Sequence, residues 1–248
     1  MLTPYIHLTQ TNLPSKDAVA VIPLASMETH GPHLPLGTDG LIAEGILAHA
    51  AGLVAGQAVS LPTLWLGASS EHCSHAGTLS CEPEQMISSI VALGEGLKRA
   101  GINRVVLFNG HGGNIALGSI AALKLRTRLD VLAASAHWLD FGLPVGLNPP
   151  APAAADVHGG WVETSVMLHL APHLVNKETA RANDAKTPAA SLFPAGPINW
   201  GWKSEDLAQG GWIGRPDLAD AALGKAMVGH AAAALAKLID ELAAAKWP

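Results

Sequence analysis

Cysteine is scarce in this chain of 248 residues, which contains two, Cys73 and Cys81. Two cysteines are too few for the disulfide framework of a small secreted protein. The first residues also lack a basic region followed by an apolar stretch, so no signal peptide is predicted. These absences make a reducing cytoplasm the simplest expectation for the compartment.

Charge is scarce as well, because charged residues make up 14% of the chain and hydrophobic ones 49%. A soluble domain usually carries about a quarter charged residues, so we expect neighbouring subunits of a homo-oligomer to cover part of the surface. The net charge of −5 offers no basic patch for nucleic acid. Uninterrupted apolar stretches such as 231–235 fall far short of the roughly 20 residues that cross a bilayer, so no membrane partner is predicted.

Continuous apolar runs alternate with helical patterns along the chain, whose length suits one domain, 1–248. Uninterrupted apolar character is typical of strands buried on both faces, and the strand candidates are 18–24, 58–65, 104–109 and 130–136. Helical patterns cover 41–54, 82–100, 115–129, 161–170 and 217–245. This alternation predicts an α/β fold in which a mostly parallel sheet carries helices on both sides. Segments 142–155 and 182–214 lack a period and are interpreted as functional loops, lids or subunit contacts.

Three loops carry histidines and acids among glycines. Segment 26–39, SMETHGPHLPLGTD, follows the first strand, and its prolines and glycines exclude a helix interior. Within it, Glu28 and His30 are two residues apart, so an extended backbone aims both side chains to one side. The second loop, 109–114, reads NGHGGN, and the third, 158–165, reads HGGWVETS. Carboxylate and imidazole groups together are typical ligands of a divalent transition metal.

Segments 26–39, 67–77 and 109–114 leave the carboxyl ends of predicted parallel strands, where ligand sites usually form. We therefore expect Glu28, Asp39 and His111 to hold one metal ion. His30 is the natural ligand of a second ion, and Asp39 has two oxygens with which it can bridge both.

The other polar residues of these loops are assigned roles beside the metal ligands. His33 is expected to be a hydrogen-bond partner of the site and not a ligand. His158 is the best candidate for proton transfer. Glu163 is either a ligand or a carboxylate that caps the start of a helix.

Some segments allow a second interpretation. NGHGGN can also cradle a phosphate, although no Lys or Ser/Thr follows at P-loop spacing; we prefer close backbone approach and amides that stabilise an oxyanion. Segment 71–75, EHCSH, looks like a small soft-metal site, but it lacks a second ligand pair and is interpreted as a loop on the substrate side. Trp200 and Trp202 are expected to lie buried under a loop more readily than to line a pocket.

Together the three loops resemble the creatininase (creatinine amidohydrolase) family, with weaker matches at 75–80, HAGTLS, and 211–216, GWIGRP. The resemblance implies a three-layer α/β/α domain, usually a hexamer, that hydrolyses non-peptide or unusual amide C–N bonds with zinc, manganese or iron. It also implies that Glu28, Asp39 and His111 hold one ion and that His30 and Asp39 share the other. His158 stands where the family has its catalytic histidine.

The chain departs from creatininase itself at two places. Creatininase has a glutamate ligand where this chain has Gly113, so the second ion lacks a ligand unless Glu163 supplies it. The tryptophan and acid that precede the catalytic histidine are also missing, where Ala154, Ala155 and Val157 stand. Creatinine is therefore not the expected substrate. Formamide hydrolases and the peptidase of the mycofactocin system share the Gly-Gly form of the second loop.

The leading hypothesis is metal-dependent hydrolysis of a small-molecule cyclic amide or formamide, with one or two divalent ions (Zn, Mn or Fe) per subunit. A metal-bound hydroxide attacks the carbonyl and His158 gives a proton to the leaving nitrogen, with Glu163 as a second candidate catalytic residue. One alternative is a metal-containing binding or assembly protein, and another is a peptidase of a modified-peptide cofactor pathway. Phosphoester hydrolysis is a weaker option.

Overall fold

The computed structural model describes residues 2–189, 191–194, 198 and 200–246. Its strands run in the order β1-β3-β2-β4-β5, and every neighbouring pair is parallel. The prediction of a mostly parallel sheet is thereby confirmed. The strands are β1 Leu2–Pro4, β2 Val19–Leu24, β3 Ala58–Ser60, β4 Arg104–Asn109 and β5 Leu132–His137.

Helices cover both faces of this sheet. Val19 and Val21 of β2 pack with α1, α4 and α6, whereas Ala20 and Ile22 pack with α2 and α3. Successive strand residues point to opposite faces, which is why an uninterrupted apolar run serves two helical layers. The three-layer α/β/α architecture is confirmed. The helices are α1 Thr38–Ala51, α2 Pro83–Arg99, α3 Asn114–Leu129, α4 Trp161–Leu170, α5 Ser204–Leu207 and α6 Ala221–Ala244.

Several boundaries differ from the predicted ones. The short strand β1 was not predicted, and the strand expected at 58–65 ends at Ser60, two residues before Pro62, which has no N–H for the ladder. Helix α1 begins three residues early, so Asp39 lies in its first turn. Helix α6 begins at Ala221, after the capping carboxylate of Asp220. Within the irregular segment 182–214, residues 190, 195–197 and 199 lie outside the described residues.

Helix α6 corrects the expectation, based on uninterrupted apolar stretches, that no segment is long enough to cross a bilayer. By length and composition alone its 24 residues are apolar enough to cross a membrane, and 44% of the most apolar window is buried inside the protein. Met227, Leu235 and Ile239 pack into the core that α6 shares with α1 and α4. Such packing is typical of a core helix.

The strands that precede the predicted site end at one edge of the sheet. Leu24 pairs with Asn109, and Asn109 pairs with His137. The segments that follow therefore leave from the same edge. A Cβ at Gly110 would collide with the backbone of Asp39, so the missing side chain lets the loop after β4 lie against the first turn of α1.

Candidate metal centre

Four predicted ligands form a buried cluster at this edge. Glu28 and His30 are fully buried, Asp39 is 1% exposed and His111 3% exposed. Glu28 and His30 come from the loop after β2, Asp39 from α1 and His111 from the loop after β4. Burying ionisable groups is costly unless each is matched by an opposite charge or a metal ion.

His111 faces two carboxylates. Its Nδ1 lies 3.2 Å from Glu28 Oε1 and 3.3 Å from Asp39 Oδ2. Its Nε2 lies 3.0 Å from the carbonyl oxygen of Ala68. Because a carbonyl can only accept, Nε2 carries the hydrogen, and in the neutral ring Nδ1 presents a lone pair to the two carboxylate oxygens. Three electron-rich atoms in this arrangement require a proton or a metal ion between them.

His30 forms a second set on the other oxygen of Asp39. Its Nε2 lies 3.2 Å from Asp39 Oδ1 and 3.9 Å from Glu163 Oε2. Its Nδ1 donates to the carbonyl oxygen of Glu28 at 3.2 Å, so Nε2 is the nitrogen turned into the cluster. Asp39 thus directs one oxygen toward each histidine.

The unpaired atoms of the cluster test whether it fits a metal ion. Among the residues that the structure describes, Glu28 Oε1, His30 Nε2 and Asp39 Oδ2 are buried without a hydrogen-bond partner. A buried polar atom left unpaired costs about 1–3 kcal/mol. One ligand atom from each of these residues lies within 4.8 Å of the others. These orphaned oxygens and nitrogens are suitable ligands for a divalent transition metal.

The pKa values of the clustered groups also indicate that the site favours positive charge. Burial by itself lowers the pKa of His30, but Asp39 raises it to about 10. Burial also opposes protonation of His111, yet Glu28 and Asp39 raise its pKa well above the usual value. Burial by itself raises the pKa of Glu28, but His111 opposes this effect and holds the pKa well below its usual range. Without a metal ion, protons on the two histidines supply the positive charge, and metal binding would displace them.

His158 lies beside this cluster with a defined orientation. Its Nε2 lies 2.6 Å from the carbonyl oxygen of Thr29, so that nitrogen carries the hydrogen. Its Nδ1 lies 3.7 Å from Glu28 Oε1. Burial, together with His72 and His30, holds the pKa of His158 well below its usual value. A neutral imidazole therefore presents Nδ1 to the cluster.

Glu163, for which two roles were open, faces the second set. Its Oε2 accepts a hydrogen bond from the Gly159 N–H at 2.6 Å and lies 3.9 Å from His30 Nε2. Burial raises its pKa to about 7, with His30 opposing and Asp39 adding to the rise. Glu163 thus secures the loop that carries His158 and turns the same oxygen toward the cluster.

Asp156, which the sequence analysis missed, is the cap of α4. Its carboxylate accepts from the N–H groups of Trp161 at 2.9 Å and Val162 at 2.8 Å. It also accepts from the Arg215 N–H at 3.1 Å. An acid just before a Gly-Gly helix start was the available signal. Because Asp156 satisfies these amides, Glu163 is free to face the cluster.

His33 and two tryptophans take places close to those expected. His33 is buried, and its Nε2 lies 2.7 Å from the carbonyl oxygen of Gly159. Trp200 and Trp202 are half-buried against a small apolar cluster that contains Leu207. His33 therefore serves as a hydrogen-bond partner near the third loop, and the tryptophans are less buried than predicted.

Segment 69–75 contributes more to the centre than the sequence indicated. Ser69 Oγ lies 3.2 Å from His111 Nε2 and also hydrogen-bonds Ser26 Oγ. Ser26 Oγ in turn donates to Glu28 Oε2 at 3.1 Å. Two buried hydroxyls therefore connect a predicted histidine ligand to a predicted carboxylate ligand. His75 points away from this cluster, with Nε2 2.8 Å from Ser204 Oγ.

The space beside Gly113 is filled by another acid. A Cβ at Gly113 would collide with the carbonyl of Ala68 and would lie 2.5 Å from His111 Nε2 and 2.7 Å from Glu71 Oε1. Glu71 Oε1 itself lies 3.6 Å from His111 Nε2. A side chain at position 113 and the present position of Glu71 are therefore mutually exclusive.

Comparison with known proteins gives matches over most of the chain. The family model described as creatinine amidohydrolase matches residues 7–239. A mycofactocin precursor peptide peptidase of Mycobacterium tuberculosis (strain CDC 1551 / Oshkosh) is 36% identical over 225 residues, which cover 88% of this chain and 82% of that protein. A crystal structure of creatinine amidohydrolase (creatininase) matches with a TM-score of 0.80 at 24% identity over 98% of each chain. A manganese structure of creatininase matches with a TM-score of 0.78 at 22% identity, over 97% of this chain and 98% of that one.

Proposed function

We propose, from the premise that this chain belongs to the creatininase (creatinine amidohydrolase) family, that it is a metal-dependent hydrolase of an amide C–N bond. The observation that carries the proposal is the convergence of Glu28, His30 and Asp39. Each has a buried side-chain atom without a hydrogen-bond partner, and one ligand atom of each lies within 4.8 Å of the others. A cluster built only for stability would pair such atoms, because each unpaired one opposes folding.

The contacts support a division of the ligands into two sets. Glu28, Asp39 and His111 would hold one divalent ion, and His30, Asp39 and Glu163 would hold a second. Zinc, manganese or iron suit these donors. When bound, such ions polarise the scissile carbonyl and lower the pKa of the attacking water.

His158 is the group we assign to proton transfer. Its Nε2–H donates to the carbonyl oxygen of Thr29, and its Nδ1 faces the space beside Glu28 Oε1. Nδ1 would take a proton from the attacking water and deliver it to the nitrogen of the breaking amide, which leaves readily only once protonated. Glu163 supports this step because it holds the Gly159 N–H, next to His158 in the chain.

Two substrate classes follow from the family. We favour a peptide amide in a precursor peptide, because the Mycobacterium tuberculosis peptidase is 36% identical to this chain, against 28% for a creatinine amidohydrolase of Pseudomonas putida. A non-peptide or unusual amide, such as a cyclic amide or a formamide, is the second candidate, in keeping with the name of the family model.

Reconstitution of the metal-free protein tests this proposal. The protein is stripped with a chelator, reloaded separately with zinc, manganese or iron, and assayed by mass spectrometry against short peptides, a formamide and creatinine. We expect Glu28→Gln to lose bound metal and turnover, because it removes a charged ligand. Glu44→Gln, an exposed acid on α1, is the matched control and should keep both.

Two results would contradict the proposal. Full metal content and activity in Glu28→Gln would show that Glu28 is not a required metal ligand. Bound metal without turnover of any amide would instead favour the metal-containing binding protein.

A further inference from the structure

Three imidazole rings are stacked at the edge of the metal centre. The ring of His158 lies between those of His30 and His72, with both centroid distances 4.1 Å and interplanar angles of 38° and 26°. All three side chains are buried. His30 belongs to the proposed metal site, whereas His72 has no role in the function proposed above.

One hydrogen bond is not enough to orient His158. The bond from Nε2 to the carbonyl of Thr29 holds one edge of the ring, but a hydrogen bond tolerates some misalignment, so the ring can still tilt about its Cβ–Cγ bond. Such a tilt would carry Nδ1 away from Glu28 Oε1. Rotation is blocked only when both faces are covered; His30 covers one face and His72 the other.

His72 is itself held from several directions. Its Nε2 lies 3.7 Å from Glu28 Oε1, and its ring meets that of Trp202 edge-on, with a centroid distance of 6.4 Å and an angle of 82°. Two residues further on, Ser74 donates to the carboxylate of Glu205 at 2.7 Å. Burial between Glu28 and Trp202 therefore restricts the movement of the His72 ring.

The stacking argues against a third metal position here. Ligand atoms of Glu28, His72 and His158 lie within 4.8 Å of one another. However, ring nitrogens direct their lone pairs in the plane of the ring, and the planes of His72 and His158, stacked 4.1 Å apart at 26°, do not meet close to the two rings. Two such nitrogens do not converge on a single ion.

We infer that His72 is a positioning residue, whose ring covers the second face of His158 and keeps Nδ1 directed at the reacting amide. The orientation of His158 follows from the stacking geometry, while its value for catalysis rests on the function proposed above. His72 then contributes through its flat aromatic shape and not through metal binding.

Two substitutions of His72 distinguish the effect of its flat ring from its other possible roles. His72→Phe keeps a flat ring, and His72→Leu removes it; His75→Ala, in the same loop but directed at Ser204, is the control. In the zinc-loaded protein we expect His72→Leu to lower kcat about tenfold with little change in KM. We expect His72→Phe to recover most of that loss and all variants to retain wild-type zinc content and unfolding temperature.

Nitrogen NMR of histidine-labelled, zinc-loaded protein reads the orientation independently of activity. Wild type and His72→Phe should show a single Nε2–H tautomer for His158, and His72→Leu a broadened or mixed signal. Unchanged His158 signals and kcat in His72→Leu would overturn the inference, as would equal losses in the Phe and Leu variants. If wild type hydrolyses no amide, the proposed function fails, and the NMR comparison still decides the positioning role.

Discussion

At the scale of single residues, Gly113 determines which acidic side chain lies beside His111. The absence of a side chain leaves room for Glu71, whose Oε1 lies 3.6 Å from the outer nitrogen of His111. A carboxylate near the second nitrogen of a ligating histidine raises the basicity of the ligand and helps to orient its ring. The sequence comparison with creatininase indicated that a metal ligand is missing at Gly113. The structure shows that another carboxylate, that of Glu71, occupies the space beside this glycine.

Alanine substitutions at the two adjacent glycines test this interpretation. Gly113→Ala should weaken zinc binding at least about tenfold, because its methyl group would press on the Ala68 carbonyl, His111 and Glu71. Gly112→Ala is the control, since a Cβ there would meet no described atom within 4 Å. Competition with a chelator measures both affinities. Equal affinities in the two variants would refute the role given to Gly113.

At the scale of elements, the start of α4 connects the proton-transfer loop to the segment 211–216. Asp156 caps α4 and also binds the Arg215 N–H. Nearby, His158 pairs with Ile213 in an isolated antiparallel bridge. One carboxylate thus fixes where the helix begins and how the two segments meet.

Removing this carboxylate should therefore reduce stability. Asp156→Ala is expected to lower the free energy of unfolding by about 1–2 kcal/mol, the usual cost of a lost helix cap. Asp184→Ala, at an exposed position, should leave it nearly unchanged. Urea unfolding of both variants measures the difference. A loss no larger than that of the control would mean that water replaces Asp156 at these amides.

At the scale of the whole molecule, the buried cluster couples folding to protons and metal. The layers around the sheet bring ligands from three distant segments into one dry site, where like charges repel strongly unless cations intervene. The homo-oligomer expected from the low charge content, with the hexamer that the family resemblance implies, stays a prediction, as does the cytoplasmic compartment.

This coupling predicts a pH dependence of the metal-free protein. The pKa of His30 is raised by Asp39 from 6.5 to about 10 on folding. The stabilisation is therefore complete below pH 6.5 and is lost as the pH rises through about 10. Thermal unfolding of the chelator-treated protein should shift to lower temperature across this range.

Two comparisons check the origin of that shift. The zinc-loaded protein should show a smaller pH dependence, because the metal ion replaces the proton. His30→Gln should remove most of the slope from the metal-free protein. An unchanged slope in His30→Gln would assign the effect to other groups.

The sequence by itself determined the layered fold and the segments that meet at the candidate site. Continuous apolar runs can be buried on both faces only in a sheet covered by helices on each side. Parallel strands end at one edge, so the loops with Glu28, His30 and His111 had to meet there. Asp39 lies beside them, although it belongs to the first turn of α1 and not to the loop where it was expected.

Only the tertiary structure decided how neighbouring side chains share that site. The contact of Glu71 with His111, the stacking of His72 on His158 and the bond from the Arg215 N–H to Asp156 each depend on distances between segments far apart in the chain. No local pattern encodes such distances, because they result from the packing of all layers together. The orientation of each imidazole has the same origin, since the carbonyl that holds its outer nitrogen is placed by the fold.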